Sequence, residues 1–526
     1  MQTTSNTLWK QRLFQMHIST GIVFALLLYV SLFFGLFAIF LPYLQVWEKP
    51  SHHLAAVDPA AIDYEPMVHA VLADPAFPKN NMMITLPGND PVLSISHRFA
   101  ETVLFNPATG EKILPEPSHL AAFLNELHYG RPLNFDDADW GIVKFFGRIL
   151  FGLLAVGVMA VIVSGVILLG IFTFKNRSKN NQARFSKWHI TLFSWTFPVF
   201  FLIVLSGACM NIGLLASGPM AQMLTGGTST DIDAVVGPVL FPRPAPVAPV
   251  QKAAAMLPIA VLLQEAQQIN PAVRFQQIRL INWNDESAQI EFKGYNPAMP
   301  FLNGGVFNKP GVTLNARDGS LIARQNVLDR SWSVYAAEAT FFLHFLFGVG
   351  ILTRLFVAAL MAASGLAIGF GVLLWIEKKR RKHDGSTVFY HWMEKLFLAG
   401  MIGIIPATGV LFVLQWLLPL DLHDRILWQQ GLFYNAWLAT LFWSYCRLET
   451  YRAAKEFLAA GGILFIAAAA LHGIVTGFGP ADLLRHGMGP IFGVDLGLTL
   501  WGTGLLYLAL KLPVKRKAPP RLKVEQ

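Results

Sequence analysis

At 526 residues a soluble chain would divide into roughly three or four domains, but 54% hydrophobic and 14% charged residues with a mean hydropathy of +0.47 exclude that class and indicate an integral membrane protein. The net charge of +9 does not describe a nucleic-acid surface, because the basic residues fall in short loops beside apolar runs. Two cysteines, Cys209 and Cys446, lie in or at the edge of such runs, which excludes a disulfide framework and reads as helix packing.

Eight runs are long enough to cross roughly 30 Å of hydrocarbon, near residues 18–41, 149–174, 190–214, 341–375, 396–418, 427–446, 457–478 and 490–511. The first follows Lys10 and Arg12, exceeds a signal-peptide core in length and leads into LPYLQVWEKP without a small-x-small cleavage site, so it is expected to stay as an anchor. Strongly basic stretches follow the second, fourth and eighth runs. The segments Leu44–Trp140 and Gly218–Ser333 are long and mixed in charge. The charge rule therefore places both termini in the cytoplasm and two domains outside.

The two outer segments share a plan. The first holds IDYEPMVHAVLADP, a helix pattern, then NMMITLPGNDPVLSISHRF and TVLFNPATGEKIL, alternating stretches with a turn at Asn106. The second holds PIAVLLQEAQQINP, then RFQQIRLINWNDESAQIEF and GVTLNARDGSLIARQN, with a turn at Arg317-Asp-Gly. Each reads as a helix followed by a small antiparallel sheet, and GPVLFPRPAPVAPVQ is a Pro-rich spacer ahead of the second copy. The expected division is 1–42, N-terminus and first span; 43–140, outer α+β domain; 141–214, two spans; 215–335, second outer domain; 336–376, fourth span; 377–390, basic loop; and 391–526, four further spans with a basic tail.

Histidines mark this plan. His17, His189 and His391 begin runs on the cytoplasmic side, and each is followed 18 residues later by a glycine: Gly35, Gly207 and Gly409. Eighteen residues make five helical turns, about 27 Å, so each glycine shares the face of its histidine. His128 and His344 follow leucines at the outer side, and Ser-Gly pairs recur at Ser164-Gly165 and Ser364-Gly365. A lone histidine at a span's end is most often an interface residue, but matched recurrence marks these as ligand candidates. Two imidazoles converging in each layer suit bis-imidazole haem, whereas the Cys, Asp, Glu or H-E-x-x-H ligands of zinc sites are missing from the pattern. The glycines read equally as room for a flat, bulky group opposite His128 and His344 and as close helix packing. His423, His472 and His486 are second-rank candidates without repeat partners. Arg148 and Arg354, near outer helix ends, are placed to pair with haem propionates or to snorkel.

The sequence FQMHISTG, the hairpins LFNPATGEKIL and TLNARDGSLIAR, the two Leu-His pairs and KWHITLFSW resemble the PepSY-associated transmembrane family over roughly residues 10–380. That family includes bacterial inner-membrane ferric-siderophore reductases. The resemblance implies a polytopic α-helical membrane protein with two periplasmic PepSY-like domains and two b-type haems. It implies His17 and His189 as ligands on the cytoplasmic side, with His391 as a third possible member, and His128 with His344 on the periplasmic side. It further implies electron transfer to a ferric siderophore or other iron(III) chelate from an outside donor, a quinol or a cytoplasmic reductase. A siderophore or small-solute permease and a non-enzymatic PepSY interaction protein are the alternative expectations.

Overall fold

The computed structural model describes residues 2–78, 80–137, 141–171, 181–231, 247–303, 306–382 and 388–514. The Pro-rich stretch ahead of residue 247, the centres of the basic loops (172–180 and 383–387) and the tail from 515 lie outside them.

Four long helices form the first bundle: α1 (Gln2–Ala38), α5 (Phe146–Ile171), α6 (Asn181–Leu224) and α9 (Ile351–Lys382). They pack through apolar stripes such as Leu154, Val158 and Ile162 on α5 against Phe200 and Val204 on α6 and Met361, Ile368 and Val372 on α9. Between these helices the chain builds α2 (Leu41–Trp47), α3 (Glu65–Leu72) and α4 (Leu120–Tyr129) before α5, and α7 (Ile259–Ile269) and α8 (Trp332–Phe345) before α9.

The two outer segments do not form separate sheets. Strands β1 (Met82–Thr85), β2 (Leu93–His97), β3 (Ala100–Phe105) and β4 (Lys112–Ile113) join β5 (Arg274–Ile281), β6 (Gln289–Tyr295), β7 (Gly311–Asn315) and β8 (Leu321–Gln325) in one antiparallel sheet of order β4-β3-β2-β1-β5-β6-β7-β8. Its centre is the β1–β5 ladder, with Ile84 opposite Ile278. The order is symmetric about that ladder, and each half supplies a helix before its strands, α3 or α7, and one after them, α4 or α8. Alternating residues Met82, Ile84, Leu93, Ile95, Ile278, Leu280, Ile290 and Phe292 form a core with Met67 of α3 and Leu262 of α7. The hairpins ending each half share one turn. Gly110 donates its N–H to Asn106 O and Gly319 to Asn315 O, with both glycines in the left-handed region that favours residues lacking a Cβ.

The run expected at 341–375 is broken. Leu346 caps α8 in the left-handed conformation, so His344 ends a short helix rather than opening the long one. Gly130 caps α4 in the same conformation. His128 and His344 thus each stand two residues before their caps. At Gly147, the start of α5 touches the α4 cap so closely that an added Cβ would lie 1.9 Å from Gly130 O.

The second bundle contains α10 (Val388–Met401), α11 (Ile404–Leu417), α12 (Arg425–Cys446), α13 (Thr450–Thr476) and α14 (Gly489–Lys511). Helices α10 and α11 form one broken span, giving seven spans by length and apolarity among the described residues. The remaining expected run, 427–446, does form α12, but Arg425, Gln429, Gln430 and Asn435 lower its apolarity. Cys209 and Cys446 are exposed on helix surfaces, not packed inside as expected.

Polar contacts dock this bundle on the first half. Gln415 donates to Glu48 O (2.6 Å) and Ser118 Oγ (2.9 Å), while Arg425 donates to Pro117 O (2.9 Å). Glu48 accepts the Ala121 N–H (3.0 Å) at the start of α4. Nearby His53 is buried, and burial first, with His472 second, holds its pKa down to about 4 from 6.5. The unfolded chain therefore takes up this proton first. Stability contributed by neutral His53 is present above about pH 6.5 and is lost as pH falls toward 4, by up to about 3 kcal/mol. Thermal unfolding across that range should show the loss, and His53→Gln should remove that component.

Candidate functional site

Four of the five histidines singled out by the repeat are brought together in two pairs. His17 and His189 have ring centroids 6.4 Å apart with planes at 61°. His128 and His344 are 5.8 Å apart at 32°. The first pair lies toward the basic loops and the second toward the sheet, separated along α1 by the 14 residues from His17 to Ser31, roughly 21 Å.

One local device holds all four rings. His17 Nδ1 donates to Val161 O (3.1 Å) on α5, where Gly165 faces the ring. His128 Nδ1 donates to Ser31 O (2.8 Å) on α1, where Gly35 faces it. His189 donates to Ala367 O (2.8 Å) beside Gly371 on α9, and His344 to Ile203 O (3.3 Å) beside Gly207 on α6. In each case the carbonyl belongs to residue i and the glycine to residue i+4. The i carbonyl already accepts the helical N–H of i+4, and a Cβ at i+4 leans toward the helix N-terminus, over that oxygen. Glycine bares the second lone pair, and the imidazole takes it. A Cβ at these glycines would lie 2.9–3.1 Å from the rings.

The bond also sets the tautomer. A carbonyl only accepts, so Nδ1 carries the proton and Nε2 keeps its lone pair. Serines reinforce two cradles: Ser164 Oγ donates to Val161 O (2.8 Å) and lies 3.1 Å from His17 Nδ1, and Ser206 Oγ donates to Ile203 O (3.0 Å) and lies 3.2 Å from His344 Nδ1. Having spent its proton on the carbonyl, each hydroxyl accepts from the ring. In metal sites this arrangement, one nitrogen tied to a carbonyl and the other free, orients an imidazole as a ligand.

The remaining expectations fall differently. His391 is exposed and joins neither pair, because α10 ends at Met401 and the five-turn alignment with Gly409 is broken. Gly409 instead meets Leu464 of α13. Gly365 faces Leu32, so Ser364-Gly365 is packing, and the α9 cradle lies one turn and a half further on at Ala367 and Gly371. The space expected opposite His128 and His344 is taken by the imidazoles themselves. Arg354 is buried and donates to Ile39 O and Leu346 O (2.9 Å), tying the end of α1 to the α8 cap. Arg148 lies 5.8 Å over the ring of Tyr129, the neighbour of His128, and stays near that pair. His423 and His486 are exposed surface residues. His472 is fully buried against His53 in the second bundle.

The family model for the PepSY-associated TM region matches residues 14–378, which span both pairs, all four cradles and the sheet. The chain belongs to this PepSY-associated family. No curated protein matches it. The family match ends just before α10, so the second bundle lies beyond it.

Cradle substitutions separate the roles of backbone and side chain. Gly35→Ala should push the His128 ring from Ser31 O and cost about 1–3 kcal/mol through overpacking, whereas Ser31→Ala keeps the carbonyl and should cost about 1 kcal/mol. Thermal unfolding and the histidine tautomer read by nitrogen NMR check both. Loss of the Nδ1–H form in Ser31→Ala, with retention in Gly35→Ala, would contradict the cradle.

Proposed function

We propose that this membrane protein is a haem-bearing oxidoreductase that moves electrons across a bacterial inner membrane, from the cytoplasmic side of its basic loops to an iron(III) chelate such as a ferric siderophore on the periplasmic side of its sheet. The observation that carries this reading is the pair of paired histidines, each with its Nδ1 tied to a helix carbonyl and its Nε2 in no hydrogen bond among the described residues. An imidazole nitrogen lies about 1.1 Å from its ring centroid and a metal–imidazole bond is about 2.0–2.1 Å, so two imidazoles across one metal place their centroids roughly 6.3 Å apart. The ring separations of 6.4 and 5.8 Å lie near that spacing.

His17 with His189, and His128 with His344, would hold two haem b groups. Held by two imidazoles, such a group would supply one-electron chemistry rather than gas binding. The chain's own residues fix the ligand rings against helix carbonyls, where rigid backbone resists reorientation when the charge of the centre changes. Arg148, beside the outer pair, is placed to neutralise a carboxylate. Arg354 is not, because its guanidinium is engaged by two carbonyls. Reduction of the bound chelate to iron(II) would weaken its hold by hard oxygen ligands and release the metal. The electron donor in this reading is a quinol or a cytoplasmic reductase.

The visible spectrum of the detergent-purified protein, oxidised and then dithionite-reduced, is the test. A sharp reduced α-band with two haems per chain by pyridine haemochromogen is expected. His17→Ala and His344→Ala should each remove one haem, while His391→Ala should remove none. A featureless spectrum from folded protein would sink the proposal.

A further inference from the structure

His53 and His472 form a third histidine pair, and nothing in the electron-transfer reading uses it. His53 lies in the loop after α2 and His472 near the end of α13, with ring centroids 5.1 Å apart and planes at 78°. The rings are 6% and 0% exposed and are walled by Trp47, Trp416 and Phe478.

Each ring has one nitrogen committed. His472 Nδ1 lies 2.7 Å from Asp495 Oδ2 on α14, and Trp47 Nε1 donates to the other oxygen at 2.8 Å. The carboxylate accepts, so His472 keeps a lone pair on Nε2. His53 Nε2 donates to Trp47 O (3.3 Å), which leaves the lone pair on Nδ1. Those two free nitrogens and the Trp416 Nε1–H are buried without a hydrogen-bond partner among the described residues.

Three orphaned polar atoms on rings packed against one another call for a shared guest, since buried polar groups are costly to leave unpaired. Two lone pairs require two donors, and one N–H requires one acceptor. A metal cation would satisfy the imidazoles but would face the positive end of the indole N–H. An anion would satisfy the indole and repel both lone pairs. Water supplies two donors and an acceptor, and buried waters commonly make about three such bonds.

We propose that one buried water molecule bridges His53 Nδ1, His472 Nε2 and Trp416 Nε1, and that it holds His472 in the tautomer that presents its Nδ1 proton to Asp495. His52, the chain neighbour of His53, is also buried, and its Nδ1 lies 2.9 and 3.0 Å from the two oxygens of the half-exposed Asp90. The charged or titratable groups around the pair are Asp495 on α14 and His52 in the loop; the tryptophan and phenylalanine walls do not titrate. His53, held down to about 4 chiefly by burial, is neutral at ordinary pH and leaves its lone pair for the water.

The test is NMR of the full chain in nanodiscs with nitrogen-15 histidine, the signals assigned with His53→Gln and His472→Gln. At neutral pH His53 should carry its proton on Nε2 and His472 on Nδ1, and both bare nitrogens should show a cross-peak to one slowly exchanging water. Trp416→Phe keeps the ring packing, removes the N–H and should lose that cross-peak. Opposite tautomers, or no water signal in the wild type, overturn the water site, and these readings decide the matter even if Trp416→Phe does not fold. Stoichiometric metal in the purified wild type that disappears in His472→Gln overturns water as the guest. Haem content enters none of these readouts, so they stand apart from the electron-transfer test.

Discussion

The contact on which the site depends is an imidazole N–H resting on a helix carbonyl that glycine leaves bare. A transmembrane helix satisfies its own backbone, and an intruding ring ordinarily finds each carbonyl covered by the side chain one turn on. Removing that side chain at Gly35, Gly165, Gly207 and Gly371 lets a second donor share the carbonyl without breaking the helix. One substitution therefore does three things: it seats the ring, fixes its tautomer and aims its other nitrogen away from the helix. Rings on flexible loops would need separate contacts for each.

The second bundle bears on this site unevenly. It grips Glu48, Pro117 and Ser118, the residues around the start of α4, and its core receives Leu120, Phe123, Leu124 and Leu127 from that helix. Helix α4 ends with His128. The counterpart, α8, is secured by Glu338, whose buried carboxylate accepts the N–H groups of Val306, Phe307 and Asn308. A polar stretch, RPLNFDDADWGI, separates α4 from α5, whereas only Leu346–Gly350 separates α8 from α9. The region after residue 391 thus packs against the helix that carries His128.

The histidine layers and their repeat were legible in the sequence because an ionisable residue in an apolar run is conspicuous and its five-turn offset from glycine fixes a shared face. The purpose of the glycine was not, since sequence spacing cannot distinguish room for a large group from room for the neighbouring imidazole. His391 met the same spacing rule and failed it structurally, because a break at Ile402–Gly403 ends the alignment. The break after His344 escaped notice since Leu346, rather than glycine, adopts the left-handed cap. The joining of two segments in one sheet was likewise out of reach. Pairing of Met82 with Leu280 closes nearly two hundred residues of chain, and no local pattern records it. His53 carried no repeat signal at all; the adjacent His52-His53 and the distant His472 became a pair only through packing.

Duplication explains why the site exists in the form it does. The first copy contributes His17 and His128 and cradles both in its own helices, α5 and α1. The second contributes His189 and His344 and cradles them in α9 and α6. Yet neither pair is formed within a copy: His17 meets His189, and His128 meets His344. A single copy would hold two well-oriented rings, each lacking a partner. The β1–β5 ladder and the packing of α1 on α9 and of α5 on α6 are what bring the copies into register. The functional unit is consequently the seam between the halves, and a change that loosens the central ladder would disturb the distant histidine pairs without touching any residue that contacts them.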